Sequence, residues 1–297
     1  MMSLTLAAPA KLNLYLHVTG KRPDSYHLLD GLVAFAEIGD TLTISPASSL
    51  CFTADGPFAP DLGDDHDSNL VVKAARALGA AAGREVNVAF HLTKRLPIAS
   101  GIGGGSADAA ACLRGLARLW GLDPASILLR RVAEGLGADI PVCVDGRAVF
   151  IGGIGTELTP APALPKVALL LVNPGIALPT PSVYRACRGG FSPAMRFDSP
   201  PADSAALAAL LAQRHNDLTA AAVSLVPAID VVLKALNDAP GCLLARMSGS
   251  GATCFGLFSD LAEASDAGAG IAANHPGWWV APSWLVEDTL SRDAQAG

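Results

Sequence analysis

The segment 96–108, LPIASGIGGGSAD, constrains the fold more than any other part of the chain, because its glycines lead directly into an alanine-rich run. Glycines leave backbone N–H groups uncovered, and the first turn of a helix adds unpaired amides and the positive end of its dipole. Apolar residues alternate upstream, over 86–92, as in a strand. The sequence therefore predicts a strand, an anion-binding loop and a helix over 106–120 that ends at Gly121.

Two common phosphate signatures do not fit this loop. A P-loop ends in Gly-Lys-Ser/Thr, and no lysine follows Gly105. The dinucleotide fingerprint needs glycines at its first, third and sixth positions, and the sixth position counted from Gly101 is Ser106. A helix start without any ligand is the alternative that the loop by itself leaves open.

Length and composition exclude several partner classes. The 297 residues are enough for two domains, and the proline-rich segment 159–165 predicts a division into 1–160 and 161–297. The net charge is −6 without a long basic run, so nucleic acid is not an expected partner. The most apolar stretch is broken by prolines, which argues against a membrane partner. Six scattered cysteines indicate reduced thiols and a cytoplasmic location.

Patterning elsewhere predicts an α+β chain. A half-buried strand is expected at 12–18, with Lys11 and Asn13 on the face opposite the leucines. A helix is expected from Asp123, with Pro124 at its first position. The other predicted elements are strands at 41–44, 142–144, 147–151, 167–172 and 278–280, two strands within 243–258, and helices from Thr180, over 204–237 and from Asp260.

A phosphate loop, a strand lysine and a loop aspartate would suffice for phosphoryl transfer to an alcohol. Asp139, between glycines and a proline, could orient a hydroxyl and take its proton, while Lys11 could stabilise the anionic oxygen. Each residue could also have no catalytic role, since most lysines are solvated and many aspartates cap helices or fill turns.

Taken together, eight ordered motifs resemble the GHMP kinase family across essentially the whole chain. They are APAKLNL at 8–14, YH at 26–27, DSNL at 67–70, KRLP at 94–97, the glycine loop, GADIP at 137–141, PTP at 179–181 and SGSGA at 248–252. The resemblance implies an α+β, two-domain architecture: an N-terminal ribosomal-S5-domain-2-like domain and a C-terminal ferredoxin-like domain, with substrates in the cleft between them.

Within the family, the motifs are most similar to the branch that transfers the ATP γ-phosphoryl group to the 2-hydroxyl of 4-diphosphocytidyl-2-C-methyl-D-erythritol, a step of non-mevalonate isoprenoid synthesis. That similarity implies ATP as donor, Mg²⁺, and a small cytidine-diphospho substrate. The implied catalytic residues are Lys11 and Asp139. The implied ATP-binding residues are Pro97, Ile98, Ala99, Ser100, Gly101, Ile102, Gly103, Gly104, Gly105, Ser106 and Ala107, with Asn69 and Lys94 on the adenosine side.

At the acceptor end, the resemblance places Tyr26 and Tyr184 on the two faces of the cytosine and His27 at the base edge. Asn13 and Thr180 are implied to line the methylerythritol and diphosphate region.

The loop departs from the family pattern at three positions. Ala99 and Ser100 stand where relatives usually have glycines, and Ala107 stands where a second serine is common. Many relatives also place a helix glutamate on magnesium, whereas the helix after this loop offers only Asp108, so the metal ligands stay open.

Two other functions remain as alternatives. Another GHMP kinase, acting on mevalonate, homoserine or a sugar, is disfavoured by Tyr26, His27 and Tyr184. A catalytically silent nucleotide-binding protein is disfavoured by the presence of both Lys11 and Asp139. The oligomeric state is not predicted.

Overall fold

The computed structural model describes residues 3–123, 125–188 and 190–293. Two long, bent strands organise the fold, and shorter strands extend the sheet on either side of them. The strands are β1 (Leu4–Lys21), β2 (His27–Pro46), β3 (Cys51–Asp55), β4 (Val88–Thr93), β5 (Val149–Gly152), β6 (Glu157–Pro160), β7 (Ala168–Asn173), β8 (Leu244–Met247), β9 (Cys254–Phe258) and β10 (Trp279–Val286).

Helices pack on this sheet in both halves of the chain. They are α1 (Leu70–Ala82), α2 (Gly104–Trp120), α3 (Ile127–Leu136), α4 (Ile140–Asp145), α5 (Thr180–Ala186), α6 (Ser204–Ala212), α7 (Thr219–Leu225), α8 (Ala228–Asn237) and α9 (Leu261–Asn274). Short 3₁₀ helices cover Pro60–Leu62, His66–Ser68 and Leu290–Arg292. Within the described ranges, no helix has both the length and the hydropathy needed to cross a membrane.

The two halves share one sheet, in the order β3-β4-β2-β10-β7-β9-β8, with β1 and β5 also paired to β2. The junction is short: β10 pairs with β2 only at Leu285–Ala36 and Val286–Phe35, after pairing with β7 along six residues. β10 was expected at 278–280 and is longer because its second half reaches the N-terminal half of the chain. The division at residue 160 stays a prediction.

The prediction that β1 is half-buried is wrong. Every residue from Ala8 to Val18 is buried, including Lys11 and Asn13. One reason is that a register shift between Asn13 and Tyr15 breaks the alternation of faces, as bulges do. Consequently Leu12 and Leu14 belong to one hydrophobic cluster, whereas Leu16 and Val18 belong to another.

Three local predictions also need correction. Residues 142–144, expected as a strand, lie in α4, where a proline in the first turn and a left-handed Gly146 at the end suit a helix. The helix after the glycine loop starts two residues earlier than expected, at Gly104. Pro124 lies outside the described residues, and α3 begins at Ile127 with Ser126 as its N-cap.

The remaining elements are confirmed at their predicted places, with shifts of a few residues at their ends. These include the strands at 41–44, 86–92, 147–151 and 167–172, the helices from Thr180 and Asp260, the helical stretch 204–237 and the strand pair of 243–258. All six cysteines are free thiols.

Candidate active site

A cleft of about 1220 Å³ lies over the glycine loop and collects most of the residues that the sequence singled out. Pockets for small ligands usually measure about 300–1,000 Å³, so this cleft can hold more than one. Two predicted residues do not line it, because Ile102 and Ala107 are buried beneath the loop. The predicted residues that do line it are Lys11, Asn13, Tyr26, His27, Asn69, Lys94, Pro97, Ile98, Ala99, Ser100, Gly101, Gly103, Gly104, Gly105, Ser106, Asp139, Thr180 and Tyr184.

Lys11 and Asp139 meet in the cleft although 128 positions separate them in sequence. Lys11 Nζ donates to Asp139 Oδ1 at 3.1 Å and to Asn13 Oδ1 at 2.9 Å. The Lys11 side chain is only 5% exposed, whereas that of Asp139 is 47% exposed. A buried ammonium group is thus held by two oxygens beside a carboxylate that faces open space.

The glycine loop is hydrogen-bonded to β1. Lys11 donates its backbone N–H to Ile102 O at 2.9 Å, which places the loop directly beside the lysine side chain. Gly101 and Gly103 have φ angles of 77° and 63°, a conformation that favours glycine. α2 starts immediately after Gly103, so the first amides of a 17-residue helix face the same region.

Ala99 is the one non-glycine loop residue with a left-handed backbone, at φ 49°. This conformation costs an alanine about 1–2 kcal/mol, which exceeds the roughly 0.5–1 kcal/mol entropic penalty of a glycine. We expect Ala99→Gly to raise the free energy of unfolding by about 0.5–1 kcal/mol, as measured by urea titration. The matched change Ala269→Gly, on the exposed face of α9, should instead lower it by about 1 kcal/mol.

The late motif at 248–252 packs directly against the glycine loop. Ser248 Oγ accepts from the backbone N–H of Asn13 at 3.1 Å and donates to Gly101 O at 3.0 Å. A Cβ atom at Gly101 would lie 2.6 Å from Ser248 O, so the approach requires glycine. Ser250 Oγ lies 2.8 Å from Thr180 Oγ1, which connects the motif to the start of α5.

Aromatic rings form the other end of the cleft. The His27 and Tyr184 rings lie 5.1 Å apart and are tilted by 31°, while Tyr26 is 62% exposed. Burial, followed by the charge of Lys21, lowers the pKa of His27, which favours a neutral imidazole. Burial, with the nearby charge of Asp139, raises the pKa of Tyr184, so its phenol stays protonated.

Lys94 forms a buried ionic cluster with Asp40 and Asp108, which we call the buried triad. Its Nζ donates to Asp108 Oδ2 at 2.9 Å and to Asp40 Oδ2. The side chain of Lys94 is 2% exposed, that of Asp108 4% and that of Asp40 0%. Burial alone would lower the pKa of Lys94, but the two carboxylates outweigh it and raise the pKa. Asn69, also predicted at this end, caps α1 by accepting from Val71 N at 2.8 Å.

Sequence reasoning missed the two acidic partners of Lys94. Asp40 follows a glycine in β2 and lies next to the apolar alternation at 41–44, and Asp108 is the one charged residue in the run from 104 to 112. A lone carboxylate in a segment that must be buried needs a partner. That signal could have indicated both residues, although not which cation they meet.

Two family models match this chain. "GHMP kinases N terminal domain" matches residues 69–147, and "GHMP kinases C terminal" matches residues 202–277. A relative from Paramagnetospirillum magneticum, named 4-diphosphocytidyl-2-C-methyl-D-erythritol kinase, is 53% identical over 286 residues, covering 96% of this chain and all of the relative. The chain belongs to the GHMP kinase family. Its α+β, two-domain architecture is therefore that of these kinases.

Solved structures agree with this assignment. A crystal structure of 4-(cytidine 5'-diphospho)-2C-methyl-D-erythritol kinase superposes with a TM-score of 0.78 at 36% identity, covering 95% of this chain and 98% of the other. Homoserine kinase from Cytophaga hutchinsonii gives a TM-score of 0.73 at 19% identity, covering 97% and 96%. The second match shows the fold alone, because one fold serves several acceptors in this family.

Proposed function

We propose that this GHMP kinase transfers the γ-phosphoryl group of ATP to the 2-hydroxyl of 4-diphosphocytidyl-2-C-methyl-D-erythritol, in the non-mevalonate route to isoprenoids. One observation carries the proposal: a single cleft contains both the Lys11–Asp139 pair beside the glycine loop and the His27–Tyr184 rings. The relatives that bear this substrate in their names support it. A cytoplasmic location belongs to the same proposal and agrees with the free cysteines.

In this proposal Asp139 orients the acceptor hydroxyl and accepts its proton as the new bond from oxygen to the γ-phosphorus forms. The bond between that phosphorus and the β,γ-bridging oxygen breaks, and ADP leaves. The ammonium group of Lys11, fixed by Asn13 and Asp139, stabilises the negative charge that develops on the transferred group. The buried position of Lys11 strengthens this interaction because little water screens it.

The glycine loop and the first amides of α2 bind the triphosphate in this proposal. Asn69 lines the same cleft, and we assign it to the adenosine side. Lys94 also lines this end, but its charge already has two carboxylate partners. We therefore assign it an indirect role, in which the buried triad supports the loop above it.

Magnesium enters with ATP in this proposal. Proteins usually bind Mg²⁺ through one or two carboxylates plus phosphate oxygens. Across the described ranges, no group of three or more His, Cys, Asp or Glu side chains could form a protein cage. The donor set fits an ion carried by ATP, with Asp139 among the carboxylates that line the cleft. Such an ion would offset the charge of the phosphate oxygens.

The acceptor end suits a pyrimidine nucleoside diphosphate. The rings of Tyr26 and Tyr184 offer stacking surfaces, and the neutral ring of His27 can both donate to and accept from a base edge. Three cations, Lys21, Arg185 and Arg188, line this end, and none pairs with a carboxylate in the part of the chain that the structure describes. In the proposal these cations attract the diphosphate, and Asn13 and Thr180 line the methylerythritol and diphosphate region.

A coupled ATP assay with four acceptors tests the proposal. The cytidine-diphospho alcohol should be turned over with a kcat/KM at least about 100-fold above that of mevalonate, homoserine or galactose, because a site that hydrogen-bonds a base rejects ligands without one. Removal of Mg²⁺ with a chelator should abolish turnover. Comparable rates on mevalonate would refute the acceptor, and no turnover of any alcohol would favour a silent nucleotide-binding protein.

Replacing Tyr184 by alanine should raise the KM for the cytidine substrate by about 10-fold or more, because base stacking contributes about 1–3 kcal/mol. The KM for ATP should change little, because the proposal assigns Tyr184 to the cytosine and not to the triphosphate. Tyr184→Phe keeps the ring and should recover most of the affinity. An unchanged KM for the cytidine substrate in Tyr184→Ala would remove the stacking role.

A further inference from the structure

The buried triad carries an uneven number of charges. One ammonium group, Lys94, faces two carboxylates, and all three side chains are almost completely buried. If every group were ionised, the cluster would hold one uncompensated negative charge away from water, which is strongly unfavourable. A proton on one carboxylate removes that charge.

The hydrogen bonds indicate which carboxylate takes the proton. Asp40 Oδ1 accepts from the backbone N–H groups of Arg95 at 2.6 Å and Leu96 at 2.9 Å, and its other oxygen accepts from Lys94. Asp108 accepts only from Lys94, and its Oδ1 is buried without a hydrogen-bond partner among the described residues. Donors stabilise an ionised carboxylate, so the charge is favoured on Asp40 and the proton on Asp108.

The triad lies directly beneath the proposed triphosphate site. A Cβ atom placed on Gly104, the first residue of α2, would be 3.1 Å from Lys94 Nζ and 3.7 Å from Asp40 Oδ2. Asp108 is four residues further along the same helix and lines the same cleft. A charge that appears on Asp108 is therefore close to any anion bound by the loop, with little water between them.

We infer that Asp108 is a positioning residue that must hold a proton for tight triphosphate binding, so that nucleotide binding at the glycine loop takes up a proton there. This inference rests on the proposed ATP site but not on the identity of the acceptor. Asp108 acts through the triad and the loop and touches no reacting atom. Loss of its proton would place one uncompensated negative charge below the phosphates.

The titration of Asp108 supports the inference. Burial is the largest cause; the charge of Lys94 opposes it and that of Asp40 adds to it, and together they raise the pKa of Asp108 to about 8. Another titratable group packed nearby, the Cys143 thiol of α4, has its pKa raised by burial to about 12 and stays neutral. Asp108 is thus the group near the loop that changes charge just above neutral pH.

The direction of the pH effect follows from the linkage between proton binding at Asp108 and nucleotide binding at the loop. A bound triphosphate adds negative charge and raises the pKa of Asp108 further, so the complex holds more protons than the free protein. Nucleotide affinity should be constant below the pKa of the free protein. Above it, affinity should fall by up to about tenfold per pH unit until the pKa of the complex is reached.

Isothermal titration calorimetry with a non-hydrolysable ATP analogue tests this directly. Titrations between pH 7.5 and 9.5, in buffers with different ionisation enthalpies, count the protons taken up on binding; the phosphates of the analogue are already ionised there. The wild-type chain should take up a substantial fraction of one proton, and Asp108→Asn should take up essentially none. At pH 9 the variant should bind the analogue several-fold more tightly than the wild type.

Asp145→Asn, at the far end of α4 and outside the cleft, serves as the matched control and should keep the wild-type proton uptake. Binding without proton uptake in the wild-type chain would overturn the inference, and this measurement needs no variant to fold. Equal uptake in the wild type and in Asp108→Asn would overturn it as well. A wrong acceptor would instead be revealed only by the turnover assay, so the two failures are distinguishable.

Discussion

Asp139→Asn should lower kcat by about 10²- to 10⁴-fold and leave the Kd for ATP within about threefold of wild type. Asparagine keeps the size of the side chain, and its carbonyl oxygen can still accept from Lys11 Nζ, now 3.1 Å from Asp139 Oδ1. What it loses is the negative charge and the ability to take the acceptor proton. Because those act in the transition state, kcat should fall more than ground-state binding.

Rapid-quench kinetics and nucleotide titration separate these two effects. The Asp145→Asn variant, on the same short helix but outside the cleft, should keep wild-type values of both. A kcat for Asp139→Asn within threefold of wild type would remove the catalytic role of this carboxylate. A large loss of ATP affinity would assign Asp139 to nucleotide binding instead.

Contiguous motifs could be interpreted from the sequence because their function depends on neighbours along the chain. The glycine loop is the main example: its glycines are needed for left-handed φ angles, and the helix dipole follows directly in sequence. The same holds for the motif at 248–252, whose Gly251 and Gly249 also have positive φ. Features of this kind depend on consecutive residues and can therefore be recognised in the sequence.

Burial of polar groups could not be predicted, because it depends on contacts between distant segments. Lys11 was expected on a strand face, where a lysine is usually solvated, yet Asp139 and Asn13 hold it beneath the surface. Replacing Lys11 would therefore disturb packing as well as the catalytic rate. The helix at 140–145 shows a similar limit, since three apolar residues fit a strand or a short helix and only the flanking Pro141 and Gly146 decide between them.

The buried triad combines three segments, because Asp40 and Asp108 lie 54 and 14 residues from Lys94 along the chain. Nothing in the local patterning of any one segment points to the others. The resemblance to a kinase family placed Lys94 at the nucleotide, whereas the geometry gives its charge to two carboxylates. Replacing Lys94 should accordingly change the free energy of unfolding more than it changes nucleotide binding.

Lys94→Met should lower the free energy of unfolding by about 3 kcal/mol or more, as measured by urea titration at constant m value. Methionine replaces the length of the lysine stem but leaves the charge of Asp40 buried with only two backbone donors. The control is Lys234→Met, because Lys234 forms an ion pair with Asp238 while its side chain is 77% exposed. Exposed pairs of this kind contribute little, so that change should stay within about 0.5 kcal/mol.

The double variant Lys94→Met/Asp108→Asn decides which part of the triad causes the loss. In Lys94→Met, Asp108 holds a proton in the folded protein but ionises on unfolding, so it lowers the free energy of unfolding at neutral pH, whereas asparagine ionises in neither state. The double variant should therefore be the more stable of the two at pH 7, and the difference should shrink as the pH falls toward the ordinary pKa of an aspartate. Equal losses for Lys94→Met and Lys234→Met would show that the triad does not stabilise the fold, since Lys94 is buried between two carboxylates whereas Lys234 is exposed beside one.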